Sequence, residues 1–281
     1  MNSSGGLLMD DAYPSECLSV IIPAFNEQAT IVAILEKVCA LRCVSQVVVV
    51  DDASTDSTYS RVAGFGHSKV CLIRQEKNGG KTAAIRRGLE QVTGRITIFQ
   101  DADLEYDPSE MEDVIRPILE NKADIVYGSR FLVRRATRVL YFYHYLANKS
   151  LTFLSNLLTN VNMTDIETCY KAFRTPLITR LPLTSSGFGM EVEITALIGK
   201  TKARIYEVPI SYYGRTYEEG KKIKLRDGVA ALWYIFYYNL IAPRMRVQRK
   251  YIQEANEYLN SVQRESNIRG EMVPSLEGKS K

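Results

Sequence analysis

The chain has 281 residues, of which 46% are hydrophobic, and this allows one large domain or two small ones with a sizeable core. Its five cysteines are odd in number and show no C-x-x-C spacing, so we expect reduced thiols in a cytosolic compartment and exclude a disulfide framework or a zinc site. The net charge of +4 joins an acidic half, −7 over residues 1–127, to a basic half, +11 over residues 128–281, so phosphates or anionic lipid are expected at the second half.

The first half of the sequence alternates short apolar runs with segments typical of helices. The predicted strands are LSVIIPAF, QVVVVDDAS, KVCLIRQ, RITIFQ and ADIVYGSRF, and the helices between them cover about residues 27–40, 55 onwards, 80–91 and 109–118. Continuous Val and Ile runs separated by helices indicate a mainly parallel sheet covered on both faces. In such sheets, ligands bind beyond the carboxyl ends of the strands.

Polar residues cluster where four of these strands end, at Asn26-Glu27, Asp51-Asp52, residues 75–81 and residues 101–107. The last cluster carries Asp101, Asp103 and Glu105, which would point to one side of an extended segment because side chains alternate along it. Three like charges on one side repel each other and raise each other's pKa values. A hard divalent cation with oxygen ligands is the simplest partner that would neutralise them.

The second half changes character after Arg130. Apolar residues at spacings of three and four predict a helix with one apolar stripe, formed by Leu140, Tyr143, Ala147, Leu151, Leu154 and Leu158. IETCYKAF, a helix at about residues 190–198 and ARIYEVPISYY follow. Next come the loop GRTYEEGKKIKLRDG and a second apolar run, VAALWYIFYYNLIAP.

Several familiar motifs are absent from the sequence. PAFNE after the first strand is not the glycine fingerprint of a dinucleotide-binding dehydrogenase. NGGKT contains Gly-Lys-Thr, but Gln75 stands where a phosphate loop needs its first glycine. An EF-hand loop that began at Asp101 would need glycine at Tyr106. No helix-turn-helix, zinc-finger or RNA-recognition signature is visible, so we expect no nucleic-acid partner.

What remains is an ordered set of motifs: SVIIPAFNE, VVVVDDASTDST, NGGKTAAIRRGL, QDADLEYDP and GSRF. In this order they resemble the family 2 glycosyltransferases, specifically the dolichol- and polyprenyl-phosphate sugar synthases. The resemblance covers about residues 18–225 and implies a single α/β nucleotide-sugar-binding domain of the GT-A type with a mainly parallel central sheet. Residues 18–130 would form its nucleotide-sugar half and residues 131–225 its acceptor half.

The resemblance assigns the strand-end residues to a nucleotide-sugar donor. It implies Mg²⁺ or Mn²⁺ at the donor diphosphate, with Asp103 as the first ligand and Glu105, where the family often has Gln, as the second. Asp101 would share the metal or contact the ribose. The residues expected to bind the donor are Pro23, Phe25, Glu27, Asp52, Gly79, Lys81, Asp101 and Ala102.

Individual roles follow from the same resemblance. Phe25 would pack near the base, Gly79 and Gly80 would let the backbone approach the donor, and Lys81 would supply a cation. Independently of the resemblance, Asp51 and Asp56 are candidates for a residue that merely caps the next helix. Ala53 is a small departure, since the family often has glycine there.

The acceptor side combines basic residues with two acids. Arg130, Arg215, Lys221 and Lys222 are expected to hold phosphates, since a planar guanidinium suits a phosphate and the basic loop resembles the acceptor-side loop of these synthases. DIETCYKAFR departs from the family's usual Ser-Gly-Phe-Arg pattern, so its Asp165 and Glu167 would either line the acceptor site or act as a general base. The catalytic candidates are Asp101, Asp103, Arg130, Asp165 and Glu167.

The leading hypothesis is inverting transfer of one sugar from a donor of the GDP-mannose or UDP-glucose type to a polyprenyl or dolichyl phosphate. A phosphate monoester is anionic at neutral pH and can attack without a dedicated base. The first alternative is transfer to a saccharide hydroxyl, with Asp165 or Glu167 as the base. The second is a non-catalytic membrane adaptor that has kept the fold.

The apolar runs are expected to meet a membrane surface without spanning it, because each is too short or too interrupted for about 20 apolar residues. Basic residues flank both runs: Arg134, Arg135, Arg138, Arg244, Arg246 and Arg249. We expect a peripheral protein on the cytoplasmic face of a membrane, bound to anionic lipid. Packing against a membrane-protein partner or a second copy of the chain is the alternative.

Four segments are therefore predicted. Residues 1–17 form a flexible N-terminus with no signal peptide, because they lack a basic segment followed by a long apolar one. Residues 18–225 form the glycosyltransferase domain. Residues 226–262 form amphipathic and polar helices, and residues 263–281 form a disordered tail.

Overall fold

The structure, a computed structural model, describes residues 17–132, 141–187, 189–214 and 225–271. Five of the predicted features lie outside these ranges: the flexible N-terminus up to residue 16, the arginines at 134, 135 and 138, Leu140 of the apolar stripe, the basic residues Arg215, Lys221 and Lys222, and the tail after residue 271.

The described residues form one seven-stranded sheet. Its strands are β1 (Leu18–Ala24), β2 (Val44–Asp51), β3 (Val70–Arg74), β4 (Ile96–Phe99), β5 (Ile125–Ser129), β6 (Lys171–Arg174) and β7 (Ile205–Pro209), in the order β3-β2-β1-β4-β6-β5-β7. Neighbouring strands are parallel except that β6 runs antiparallel to both β4 and β5. The mainly parallel sheet predicted from the sequence is confirmed.

The central strands are continuous apolar runs because both of their faces are covered. Val47 to Val50 on β2 and Val20 to Ile22 on β1 are fully buried in the core.

The α-helices of the described residues are α1 (Ile31–Cys39), α2 (Thr58–Phe65), α3 (Lys81–Leu89), α4 (Met111–Leu119), α5 (Phe142–Thr159), α6 (Thr175–Thr179), α7 (Gly189–Ile198), α8 (Leu225–Phe236) and α9 (Arg246–Glu271).

Helix α1 starts later than predicted because the chain first makes a turn. Asn26 adopts a left-handed conformation with φ of 55°, and the amides of Thr30 and Ile31 donate to the Glu27 carbonyl. The turn places Asn26 beside the segment that follows β2, where its side chain accepts from the Thr55 amide at 2.9 Å. The polar ends of β1 and β2 are thereby held together.

Strand β6 joins the two halves that the sequence predicted. It lies between β4 and β5, so a strand from the acceptor half completes the sheet of the nucleotide-sugar half. Its register pairs Ala172 with Ile98 on one side and with Val126 on the other. The described residues between 18 and 214 therefore share one sheet and one core.

The C-terminal helix packs on this domain and extends beyond residue 263, where the sequence predicted a disordered tail. Tyr251, Ala255 and Leu259 of α9 are buried in the main core, and the helix runs to Glu271.

Helix α5 buries only part of the apolar stripe that was predicted for it. Its Leu151 contacts the core, whereas Tyr143, predicted on the same stripe, is exposed.

Candidate active site

The first carboxylate after β4, Asp101, faces a lysine at the start of α3. The Lys81 ammonium lies 2.8 Å from Asp101 Oδ1 and 3.4 Å from Glu191 Oε1. Burial opposes ionisation of Asp101, but the Lys81 ammonium lowers the pKa of this carboxyl below its ordinary value. The structure thus brings together Lys81 and Asp101, which were both predicted at the donor site, and adds Glu191, which lies outside the recognised motifs.

A glycine turn sets the position of Lys81. Both oxygens of Asp52 accept from backbone amides, from Gly79 at 2.8 Å and from Gly80 at 2.7 Å, and Asp52 also accepts from the Gln75 side chain. A Cβ at Gly79 would lie 2.7 Å from the Cβ of Ala83, so only glycine fits. Asp52, predicted to contact the nucleotide, is therefore occupied in shaping the turn that precedes α3.

Its neighbour Asp51 is buried at the end of β2. The Asp51 carboxylate lies 3.4 Å from Arg74 Nε, and neither oxygen has a hydrogen-bond partner among the described residues. Asp56 is the residue that accepts from the Thr58 amide, at 2.9 Å, where α2 begins. Of the two capping candidates, the structure therefore favours Asp56.

Asp103 and Glu105 lie further along the same loop. Asp103 Oδ1 accepts from the Glu105 amide at 3.1 Å, a turn that local carboxylates commonly make. Glu105 Oε2 accepts from the Tyr212 hydroxyl at 2.8 Å. The loop after β4 is thus tied to the segment after β7.

Arg130 at the end of β5 is paired with the buried Asp165. Its Nε and Nη2 lie 2.7 Å and 2.8 Å from the two carboxylate oxygens, and its backbone amide also donates to Asp165. Burial opposes the charge on Asp165, but the Arg130 guanidinium keeps the pKa of this carboxyl below its ordinary value. The Arg130 guanidinium also stacks 5.1 Å from the centre of the Tyr212 ring. Tyr212 therefore links Arg130 to Glu105, a contact for which no motif provides a signal.

A buried group of charges lies on the other side of Lys81. Glu191 on α7 is 4% exposed, and Lys171 at the start of β6 is fully enclosed with its ammonium donating to the Thr168 carbonyl. Burial, reinforced by the Glu191 charge, raises the pKa of Glu167 to about 8. Glu167 is therefore mostly protonated at pH 7. The signal for Glu191 was available in the sequence, since an acid within the apolar run GMEVEITALI is unusual for a buried helix.

The remaining donor-side residues form the rim of this edge. Phe25 is 40% exposed just after β1, as a ring available to a ligand would be. Pro23 lies in β1 and is half-buried, Ala102 is buried, and the Glu27 carboxylate accepts from the Thr30 hydroxyl at 3.3 Å. These residues occupy the same carboxyl edge of the sheet as Lys81 and Asp101.

The carboxylates after β4 fit a divalent cation that is shared with a ligand. The described residues contain no group of three or more His, Cys, Asp or Glu that could hold a metal by themselves. Mg²⁺ in phosphate-transfer sites, however, takes only one or two carboxylates from the protein and completes its shell with phosphate oxygens and water. Asp103, with Glu105 two residues on, supplies oxygen ligands of that kind.

Comparisons with known proteins agree with this arrangement. The model of the family described as Glycosyl transferase family 2 matches residues 19–181. A dolichol-phosphate mannosyltransferase of Pyrococcus furiosus is 29% identical, over 73% of this chain and 58% of the relative. A dodecaprenyl-phosphate galacturonate synthase of Rhizobium johnstonii is 24% identical, over 75% of this chain and 63% of the relative. The chain thus spans about three fifths of these curated relatives.

Solved structures show the same fold. Glucosyl-3-phosphoglycerate synthase from Mycobacterium tuberculosis, in complex with Mn²⁺, UDP and glucosyl-3-phosphoglycerate, superposes with a TM-score of 0.60 at 21% identity, and the match covers 80% of each chain. The mainly parallel sheet with its polar carboxyl edge is that of the GT-A glycosyltransferases. The chain belongs to glycosyl transferase family 2.

The raised pKa of Glu167 predicts how stability depends on pH. Between its ordinary value of 4.5 and about 8 the unfolded chain loses this proton while the folded chain keeps it, so stability is lost as pH rises through that window. Glu167→Gln cannot ionise. We therefore compare the melting temperature of Glu167→Gln minus that of wild type at two pH values. This difference should be larger at pH 8.5 than at pH 5, by at least the ~2–4 °C that corresponds to about 1 kcal/mol.

Thermal unfolding of both proteins at the two pH values measures this difference. Glu36→Gln, which removes an exposed carboxylate from α1, controls for the change in net charge. An equal difference between Glu167→Gln and wild type at pH 5 and pH 8.5 would show that Glu167 is already ionised in the folded protein.

Proposed function

We propose that this protein is a metal-assisted inverting glycosyltransferase that moves one sugar from a nucleotide-diphosphate donor to a polyprenyl or dolichyl phosphate. Membership of family 2 supports a glycosyltransferase, and the names of the relatives from Pyrococcus furiosus and Rhizobium johnstonii support a polyprenyl-phosphate acceptor. The observation that carries the proposal is the ion pair between Lys81 and Asp101 at the carboxyl edge of the sheet, with Asp103 two residues further along the same loop.

The donor would lie along this edge. Phe25 offers an exposed ring for the base, and a Cβ at Gly80 would meet nothing within 4 Å, so there is room for a diphosphate beside this turn. Asp103 and Glu105 would hold the Mg²⁺ or Mn²⁺, which when bound neutralises charge on the departing diphosphate. Lys81 adds a second positive charge beside the same phosphates.

The acids near the acceptor side favour a nucleophile that needs no base. Asp165 is committed to Arg130 through three hydrogen bonds, and Glu167 with its pKa of about 8 is mostly protonated at pH 7. A phosphate monoester brings its own negative charge. Its oxygen forms the new bond to the anomeric carbon as the bond from that carbon to the donor diphosphate breaks, and the nucleoside diphosphate leaves with the electron pair.

The test of this function is an extraction assay with purified protein, Mg²⁺ or Mn²⁺, polyprenyl phosphate in detergent and a panel of labelled UDP- and GDP-sugars. We expect one donor to deliver label to the organic phase. Label on an added soluble saccharide instead would point to a hydroxyl acceptor. No transfer together with no calorimetric binding of UDP or GDP would favour a non-catalytic adaptor.

Asp103→Asn should lower turnover in this assay at least about a hundredfold, because it removes a charged ligand from the position where charge develops. The melting temperature should change little, since Asn can still accept from the Glu105 amide. The matched control is Asp107→Asn in the same loop. Asp107 accepts from the Ser109 amide at 3.1 Å, a cap that Asn also makes, so its turnover should stay near wild type. Equal turnover in Asp103→Asn and wild type would contradict the metal assignment.

A lipid acceptor requires contact with a membrane surface, and α5 and α8 carry exposed apolar side chains that suit such a contact. These helices pack against each other and carry large exposed apolar side chains, with Phe153 69% exposed and Trp233 62% exposed. Arg244, Arg246 and Arg249 are exposed just beyond α8. In the described part of the chain, no helix is both long and apolar enough to cross a bilayer. We propose peripheral binding on the cytoplasmic face, with the apolar side chains at headgroup depth.

Liposome sedimentation measures this binding. The protein should sediment with vesicles that contain anionic lipid at low salt and be released at high salt, because each Arg near such a surface contributes about 1 kcal/mol that salt screens. The double variant Phe153→Ser/Trp233→Ser should lose most of the bound fraction. Tyr206→Ser, which removes an exposed ring from β7, is the control. Release by detergent alone would indicate deeper insertion, and no sedimentation at any salt would favour packing against another protein.

A further inference from the structure

Lys81 has two carboxylate partners, and only one of them belongs to the metal-binding loop. Its ammonium lies 2.8 Å from Asp101 Oδ1 and 3.4 Å from Glu191 Oε1. Asp101 and Lys81 are about one-third exposed, whereas Glu191 is buried inside the domain. Lys81 therefore stands between a carboxylate that a ligand can reach and one that is enclosed by protein.

Glu191 is only partly satisfied by its surroundings. All residues of α7 from Gly189 to Ile198 are buried, yet Glu191 Oε2 has no hydrogen-bond partner among the described residues. Leaving a buried carboxylate oxygen without a partner costs free energy. Glu193, two residues further on, shows the contrast, because its oxygens accept from the amides of Thr184 and Ser185. Glu191 thus keeps an acceptor available beside Lys81.

The Lys81–Asp101 pair restricts cation binding. An ammonium 2.8 Å from Asp101 neutralises that carboxylate, and a divalent cation would compete with it for the same charge. A move of Lys81 towards Glu191 would free Asp101 without leaving the ammonium unpaired. The second partner is already within ion-pair distance, so the move needs only a side-chain rotation.

We infer that Glu191 is a positioning residue of the donor site: it accepts Lys81 when a divalent cation and a nucleoside diphosphate enter, so that Asp101 becomes free to face the cation. This inference rests on the proposed function and deepens it, since it assigns how the empty and the loaded site exchange ion pairs. No bond is made or broken in this step. The ammonium stays charged throughout.

Calorimetry with UDP and GDP, each with Mn²⁺ or with EDTA, measures the exchange in the full chain. Wild type should bind one of the two more tightly with Mn²⁺. Glu191→Gln keeps the shape of the side chain but leaves Lys81 on Asp101, so the gain in affinity from Mn²⁺ should fall about tenfold. In EDTA the affinity of Glu191→Gln for the nucleotide should be unchanged or slightly tighter, because the Glu191 carboxylate no longer competes with the nucleotide phosphates for Lys81. A general loss of structure would weaken binding under both conditions.

Two variants make the result specific. Glu193→Gln on the same helix is equally buried but faces Thr184 and Ser185, so the gain from Mn²⁺ should match wild type. In a Lys81→Gln background, Glu191→Gln should cause no further loss of the gain in affinity from Mn²⁺, because no ammonium then competes with the cation for Asp101. Should Glu191→Gln fail to fold, Glu191→Asp replaces it, and its shorter carboxylate should give an intermediate loss.

The outcomes separate this inference from the function on which it rests. Wild type that binds neither nucleotide under either condition would overturn the proposed function and this inference with it. Wild type that gains affinity from Mn²⁺, together with a Glu191→Gln or Glu191→Asp variant that gains as much, would overturn only the inference. Equal losses by Glu191→Gln with and without Lys81 would do the same.

Discussion

The candidate site depends on the neutralisation of carboxylates that meet at one edge of the sheet and would otherwise repel each other. Asp101 after β4 and Glu191 on α7 both approach this edge, and Lys81 lies between them. The position of Lys81 is fixed in turn by the glycine turn that Asp52 holds through two backbone amides. The Lys81 ammonium thereby connects the start of α3 to the loop after β4 and to α7, and the glycine turn connects the start of α3 to the end of β2.

A second ion pair organises the end of β5 in the same manner. Arg130 and Asp165 neutralise each other, and Tyr212 connects them to Glu105 in the loop after β4. With Asp165 paired and Glu167 mostly protonated, the site has positive charge and donors to offer but no free carboxylate base among these residues. Such a site suits a nucleophile that arrives already charged.

The fold could be predicted because buried parallel strands leave an unmistakable pattern of Val and Ile runs that end in polar clusters. The antiparallel β6 could not, since its four residues lie in a short mixed segment and its position depends on pairing with β4 and β5. The departure at Ala53 has a backbone explanation. Ala53 adopts φ of 58°, a left-handed conformation that favours glycine, which the family often has there.

The site could be predicted residue by residue only where a motif carried it. Lys81 and Asp101 lie in motifs that marked them as candidates, although their ion pair was not predicted. The contacts of Glu191 and Tyr212 join segments that are distant in sequence and leave no local signal of their partners. Anomalous diffraction at the manganese edge, on crystals grown with Mn²⁺ and the nucleoside diphosphate that binds, would locate the metal. We expect a manganese peak at the Asp103 carboxylate, with the Lys81 ammonium nearer to Glu191 than to Asp101. A peak away from these carboxylates, or Lys81 still paired with Asp101 beside a bound metal, would contradict this expectation.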